Sequence, residues 1–181
     1  VDMVGFSLGG RLVLELARRG RAGSVVALSP GGFWAGWERT YLKWTLLSSV
    51  SALRLLRGFV PRLAHNAVTR SAVLAQLSAR PWTLNGDEVE AELLSFASPS
   101  PVPALVRDLA AAPMQEGPAA PATPKVTIAW GRHDRLCFPV QAQRAKAAFP
   151  GATFHWFDDS GHYLIWDEPE HALNVIRQGI K

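Results

Sequence analysis

A Gly-x-Ser-x-Gly motif between an apolar strand and an amphipathic helix constrains this chain more than any other feature. The first ten residues read VDMVGFSLGG, and a helical run from Arg11 to Arg19 follows at once. In that context the motif is typical of a nucleophile elbow, a tight turn that points a serine hydroxyl out of a sheet. Ser7 is then strained, and Gly5 and Gly9 omit Cβ atoms that would collide with the neighbouring strand and helix. Leu8 offers its backbone N–H at a helix N-terminus, which makes it a candidate oxyanion donor.

Strands and helices alternate on both sides of a long helical middle segment. The pattern predicts strands at 24–28, 126–130 and 152–157 after the first one, with helices at 11–19, 141–149 and 169–180. The first helix is expected to bury Leu12, Leu16 and Ala17. Strands separated by helices predict a parallel α/β sheet with right-handed crossovers.

The chain divides into three segments. Residues 1–32 form a core segment with the elbow, residues 33–120 a helical insertion, and residues 121–181 the returning core. Pro-rich stretches at 98–103 and 117–124 break the helices and lead back to the sheet.

Two further loops carry groups that could act with Ser7. Asp134 follows the strand at 126–130, and His162 follows the strand at 152–157. Functional groups of open α/β sheets gather at the carboxyl ends of strands, so the three side chains are expected at one edge. Asp158 and Asp159 are competing acids, although on the histidine's own loop they are better suited to shaping the turn.

These motifs resemble those of the α/β-hydrolase fold superfamily, in its branch of capped serine hydrolases. The matching segments run from the elbow to residue 169: Gly5-Phe6-Ser7-Leu8-Gly9, Gly131-Arg132-His133-Asp134, Ser160-Gly161-His162 and Asp167-Glu168-Pro169. The resemblance implies a mostly parallel sheet with a helical cap inserted between the sixth and seventh strands. It implies that Ser7 is the nucleophile, His162 the general base and then acid, and Asp134 the group that orients the imidazole.

The same resemblance implies that part of the fold precedes this sequence. In that family several strands come before the elbow, and a loop after one of them supplies a second oxyanion N–H. We therefore expect residues 1–181 to be the C-terminal portion of a longer hydrolase, without the N-terminal half of the sheet. By itself that portion is expected to be unstable or poorly active, since losing one oxyanion donor costs about 10²–10³ in rate.

The chemistry expected from these residues is hydrolysis of a small, hydrophobic ester through an acyl-enzyme, without metal or organic cofactor. A serine at position 7 excludes an alkyl-enzyme ester on aspartate. Thioesterase, lactonase, amidase, C–C hydrolase and cofactor-free haloperoxidase or perhydrolase chemistry stay open, as does a non-catalytic protein that kept the fold. Candidate pocket residues are aromatic: Phe6, Phe33, Trp34 and Trp37.

Composition gives no sign of a nucleic-acid partner, and the partner that the resemblance implies is a small-molecule substrate. The net charge is only +4, with no zinc spacing or nucleic-acid module, so nucleic-acid binding is not indicated. The apolar stretch 44–53 is far shorter than the roughly 20 residues of a membrane span. The single cysteine, Cys137, is expected to be inert and suits a reducing, cytoplasmic compartment. His133 is expected to be structural, His65, His155 and His171 receive no role, and the oligomeric state stays open.

Overall fold

Four parallel strands form one sheet in the order β1-β2-β3-β4. The computed structural model describes residues 1–99, 101–118 and 125–180, so most of the predicted linker at 117–124 lies outside the described residues. The strands are β1 (Met3–Phe6), β2 (Val25–Leu28), β3 (Val126–Gly131) and β4 (Thr153–Phe157). Their register pairs Phe6 with Leu28, Leu28 with Ala129, and Gly131 with Phe157. The predicted parallel α/β sheet is confirmed, and its carboxyl ends share one edge.

The sheet is packed between helices, as the continuous apolar runs of β2 and β3 require. Every residue of these two strands is buried. Helices α1 (Leu8–Arg18) and α7 (Pro139–Ala148) follow β1 and β3, and α8 (Leu164–Asp167) and α9 (Pro169–Gly179) end the described chain. One apolar cluster joins β2, β3 and β4 to α8 and α9: Val26, Leu28, Ala129, Phe157, Leu164, Ala172 and Val175.

The buried face of α1 differs from the predicted one. Leu12 is 56% exposed and Leu16 is 36% exposed, whereas Val13, Leu14 and Ala17 are buried. With Gly10, these three residues follow the spacing i, i+3, i+4, i+7 and form a second apolar stripe on the same helix. The prediction was wrong for Leu12 and Leu16 because both stripes have helical periodicity.

The chain forms two compact units. The sheet unit comprises residues 1–34, 76–79, 113–118 and 125–180, and the helical unit comprises 35–75, 80–99 and 101–112. Residues 33–34, 76–79 and 113–118 thus belong to the sheet unit although they fall within the predicted insertion at 33–120. The helical unit holds five α-helices and two short 3-10 turns at Arg57–Phe59 and Pro81–Thr83: α2 (Trp37–Leu55), α3 (Val60–His65), α4 (Ala67–Val73), α5 (Gly86–Ala97) and α6 (Val102–Ala111).

The helical unit contains a buried arginine, Arg70. The Arg70 guanidinium donates hydrogen bonds to the carbonyls of Ala64, Pro81 and Trp82 at 2.7, 2.8 and 2.9 Å. Because Ala64 belongs to α3 while Pro81 and Trp82 belong to the 3-10 turn, Arg70 ties α4 to both segments. Among the described helices, none is both long and apolar enough to cross a membrane.

Candidate functional site

The turn between β1 and α1 holds Ser7 in an unusual backbone conformation. Its φ is 53° and its ψ is −113°, a region that L-residues rarely adopt. The Ser7 N–H donates to the Leu28 carbonyl at 2.9 Å, which continues the sheet pairing beyond β1. The Ser7 carbonyl accepts from the N–H groups of Arg11 and Gly31 at 3.1 and 3.0 Å. Backbone hydrogen bonds to a strand, a helix and a loop therefore hold the strained residue in place.

The two glycines of the motif have different roles. A Cβ at Gly5 would collide with the Gly9 carbonyl and lie 2.7 Å from the Gly10 nitrogen, so only glycine lets the helix start this close to β1. A Cβ at Gly9 would meet no described atom within 4 Å. The predicted steric role is therefore wrong for Gly9. Gly10, where a Cβ would lie 3.1 Å from Pro30, is the tightly packed helix residue instead.

Three predicted side chains meet at the carboxyl edge of the sheet. The Ser7 hydroxyl lies 3.0 Å from His162 Nε2, and His162 Nδ1 lies 2.8 Å from Asp134 Oδ2. Asp134 and His162 are 2% and 1% exposed, so water barely reaches the pair. All three residues belong to the sheet unit. They form one hydrogen-bonded chain between loops 127 and 28 residues apart in sequence.

The Asp134 carboxylate is held at both oxygens. Its Oδ1 accepts from the backbone N–H groups of Leu136 and Cys137 at 2.8 and 2.7 Å, which leaves Oδ2 facing the imidazole. Of the competing acids, Asp158 is paired with the Arg132 guanidinium and is 77% exposed. Asp159 contributes its backbone N–H to Glu168 at 3.1 Å. Both competitors therefore belong to the turn, as their place in the sequence suggested.

The loops that carry the acid and the histidine approach each other through a glycine. A Cβ at Gly131 would lie 2.5 Å from the Ser160 carbonyl and would collide with the Gly161 carbonyl. The His133 N–H also donates to the Ser160 carbonyl at 2.9 Å. Because Asp134 follows at once, this close approach brings its carboxylate within reach of His162. Sequence reasoning missed this role of Gly131, which the motif Gly-Arg-His-Asp presents as an ordinary turn glycine.

The aromatic candidates are divided between the site and the core. The Phe6 ring lies 5.0 Å from the His162 ring and 4.9 Å from the Tyr163 ring, centroid to centroid. Phe33 is fully buried and packs against Trp130 and Phe149. Trp34 is 1% exposed beneath the Arg11 guanidinium, and Trp37, in the helical unit, is 66% exposed. Phe6 is therefore the candidate whose contacts lie at the site, with Tyr163 as a neighbour that was not predicted.

The predicted oxyanion donor, the Leu8 N–H, lies at the start of α1. Leu8 is the first residue of α1, and the first N–H groups of a helix have no acceptor within it. It directly follows the nucleophile candidate. Its role as an oxyanion donor is a prediction from this position.

Among the described residues, one buried group could offer three metal ligands. Ligand atoms of Asp134, Cys137 and His162 lie within 4.8 Å of one another. Yet the Asp134 carboxylate already binds two N–H groups and the imidazole. Two of the three candidate ligands, Asp134 and His162, are thus engaged in hydrogen bonds with each other, and Cys137 is buried.

The remaining histidines have structural surroundings. His65 Nε2 lies 3.0 Å from Glu90 on the helical unit. His171 lies 3.3 Å from Glu168 and stacks on Phe157. Burial, with a smaller effect of nearby His171, lowers the pKa of His155 below its ordinary value.

Comparison with known proteins supports the architecture. The model of the alpha/beta hydrolase family matches residues 1–175. No curated protein gives a significant match. An esterase, EaEST from Exiguobacterium antarcticum, is 15% identical with a TM-score of 0.69, over 99% of this chain and 66% of its own. BpoC of Mycobacterium tuberculosis H37Rv, designated a non-heme bromoperoxidase, is 21% identical with a TM-score of 0.67, over 99% and 66%.

A third similar structure is BphD of Rhodococcus sp. strain RHA1, a 2-hydroxy-6-oxo-6-phenylhexa-2,4-dienoate hydrolase. It is 16% identical with a TM-score of 0.60, over 98% of this chain and 63% of its own. At these identities the likeness shows a shared fold. This chain spans between 63% and 66% of the length of the three proteins.

Proposed function

This chain belongs to the alpha/beta hydrolase family, and we propose that it hydrolyses a small, hydrophobic carboxylic ester through an acyl-enzyme on Ser7. The observation that carries the proposal is the hydrogen-bonded chain from Ser7 to His162 to Asp134, with contacts of 3.0 and 2.8 Å. A serine hydroxyl is a weak nucleophile unless a base lies within hydrogen-bond reach and a third group orients that base.

The hydrogen bonds of Asp134 favour the tautomer that this reaction needs. With Oδ1 engaged by two N–H groups, Oδ2 accepts from His162 Nδ1–H, so Nε2 is free of hydrogen and accepts from the Ser7 hydroxyl. The Ser7 proton then passes to Nε2 as Oγ bonds to the ester carbonyl carbon. The imidazolium formed is stabilised by the buried carboxylate, and it returns that proton to the departing alkoxide, which leaves as the alcohol.

The second half of the reaction reuses the same groups. Water gives a proton to His162 Nε2 and its oxygen attacks the acyl carbon on Ser7. His162 then protonates Ser7 Oγ as the acid product leaves. In both halves the Leu8 N–H, at the positive end of α1, would donate to the oxyanion.

The preference for a hydrophobic substrate is supported by the rings beside the histidine. Phe6 and Tyr163 contact each other and lie next to the His162 ring. An apolar wall there gains free energy with apolar acyl or alkyl groups. EaEST, an esterase, has the same fold.

A covalent probe and a substrate panel test the proposal. A fluorophosphonate should label wild-type protein, and Ser7→Ala should lose both labelling and at least about 10³-fold of the hydrolysis of p-nitrophenyl acetate, butyrate and octanoate. Ser24→Ala, before β2, is the matched control and should keep both. The proposal is refuted if a folded protein that contains this chain is not labelled, or if labelling survives Ser7→Ala. If the probe labels Ser7 but only thioesters, lactones or C–C substrates are turned over, Ser7 is the nucleophile and the proposed ester substrate is wrong.

A further inference from the structure

A second buried carboxylate lies behind the histidine loop. Asp167 is 6% exposed and ends the short helix α8, five residues after His162. Its Oδ2 accepts from the N–H groups of Gly161 and Ala79 at 2.7 and 2.9 Å. Its Oδ1 accepts from the Ser78 hydroxyl at 2.5 Å. One side chain thus joins the residue before His162 to a segment more than eighty residues away in sequence.

Residues 77–79 hold the backbone on both sides of His162. The Tyr163 N–H donates to the Leu77 carbonyl at 2.8 Å, while Gly161 is held through Asp167. The packing is tight, because a Cβ at Gly161 would lie 2.9 Å from the Leu77 carbonyl and from the carbonyl carbon of Ser78. Residues 161–163 are therefore bound to residues 77–79 on one side, and Gly131 approaches from the acid loop on the other.

The neighbouring carboxylate holds a different part of the same loop. Glu168 Oε1 accepts from the Asp159 N–H at 3.1 Å and from the Ser160 hydroxyl at 2.8 Å. Glu168 thus holds the turn after β4, whereas Asp167 holds the residues adjoining the imidazole. Loss of the Asp167 carboxylate would therefore free the backbone next to His162, whereas loss of the Glu168 carboxylate would free the turn before it.

We propose that Asp167 is a positioning residue, which keeps His162 Nε2 against the Ser7 hydroxyl by fastening residues 161–163 to residues 77–79. The inference rests on the proposed function, since it assigns Asp167 a part in serine activation. Proton transfer needs Nε2 within hydrogen-bond reach of Oγ, and the present separation is 3.0 Å. A displacement of about 1 Å at such a site costs up to about 10²-fold in rate.

The kinetic test separates positioning from folding. Asp167→Ala should lower kcat about 10- to 100-fold on p-nitrophenyl butyrate with KM within about twofold, and should slow fluorophosphonate labelling of Ser7 by the same factor. Asp167→Asn should stay within about threefold of wild type, because its amide oxygen can accept from both N–H groups while its NH₂ donates to the Ser78 oxygen. Asp158→Ala, an exposed change on the same loop, should leave kcat unchanged.

Each outcome bears on one of the two proposals. If wild type is active and Asp167→Ala keeps more than half of its kcat, Asp167 is not a positioning residue, and the proposed function stands. A loss in Asp167→Ala that Asp167→Asn does not restore also overturns the positioning role. If Asp167→Ala does not fold, Ser78→Ala replaces it, with about a 3- to 10-fold lower kcat expected and an unchanged kcat refuting the inference. A folded wild type without labelling or turnover refutes the proposed function itself.

Discussion

Replacing Asp134 by Asn should block proton transfer from Ser7 in most molecules while nearly preserving the shape of the side chain. The carboxylate oxygen Oδ1 accepts from the N–H groups of Leu136 and Cys137, and Oδ2 faces His162 Nδ1. In the variant, the amide oxygen will take the place of Oδ1, because an NH₂ group there would face two N–H donors without an acceptor. The NH₂ then faces Nδ1, which must become an acceptor. The imidazole proton moves to Nε2 and points at Ser7, so the base can no longer take the serine proton.

The size of the effect follows from the alternative amide orientation. Flipping the amide would restore the tautomer but leave two buried N–H groups unpaired, at about 1–3 kcal/mol each. At 1.4 kcal/mol per factor of ten, between about one molecule in 30 and one in 20,000 would be flipped. Those molecules would still lack the negative charge that stabilises the imidazolium. We therefore expect kcat to fall about 10³- to 10⁴-fold, or about 4–5.5 kcal/mol of transition-state stabilisation.

The assay is steady-state hydrolysis of p-nitrophenyl butyrate, with thermal unfolding to show that the variant is folded. Asp158→Asn is the matched control, since it removes the same charge from an exposed acid on the histidine's own loop. It should change kcat by less than about twofold. A folded Asp134→Asn variant that keeps more than a tenth of the wild-type kcat would contradict this role of Asp134, as would an equal loss in Asp158→Asn.

Two further predictions concern folding of the elbow and of α1. Gly5→Ala should lower the free energy of unfolding by about 3 kcal/mol or more, because the new Cβ would collide with the Gly9 carbonyl. Gly9→Ala should be neutral or slightly stabilising, because no described atom lies where its Cβ would be. Chemical denaturation of both variants measures the difference, and equal effects would contradict the prediction. A hydrogen bond from Arg18, with smaller ones from Gln115 and Arg19, lowers the pKa of Glu15 to about 2 against the opposing effect of burial. That stabilisation is complete above about pH 4.5 and is lost as the pH falls towards 2. Glu15→Gln should therefore lower the free energy of unfolding by about 1 kcal/mol at pH 7, a value kept small because the ion pair is partly exposed. The difference from wild type should shrink as the pH falls from 5 to 2. A difference that does not change with pH would contradict the ion-pair explanation.

The sheet and the meeting of three side chains could be predicted because local signals determine them. Each strand is an apolar run, and each candidate group follows the end of one. Parallel pairing then places all such ends at one edge, whatever the length of the intervening chain. The face of α1 could not be predicted in this way. Leu12 with Leu16 and Val13 with Ala17 are both apolar pairs four residues apart, and only packing on the sheet decides between them.

The distances between the side chains of the site depend on long-range contacts that the local sequence pattern does not predict. Gly131 and Gly161 look like turn glycines, yet each is needed because backbone from a distant segment lies where a Cβ would be. Asp167 looks like an acid at a helix end, and its hydrogen bonds to Ser78 and Ala79 span nearly ninety residues. The motifs thus predict which groups meet, whereas these long-range contacts set the distance at which they meet. Since proton transfer is sensitive to changes well below 1 Å, activity should depend on residues 77–79 as well as on the three motifs.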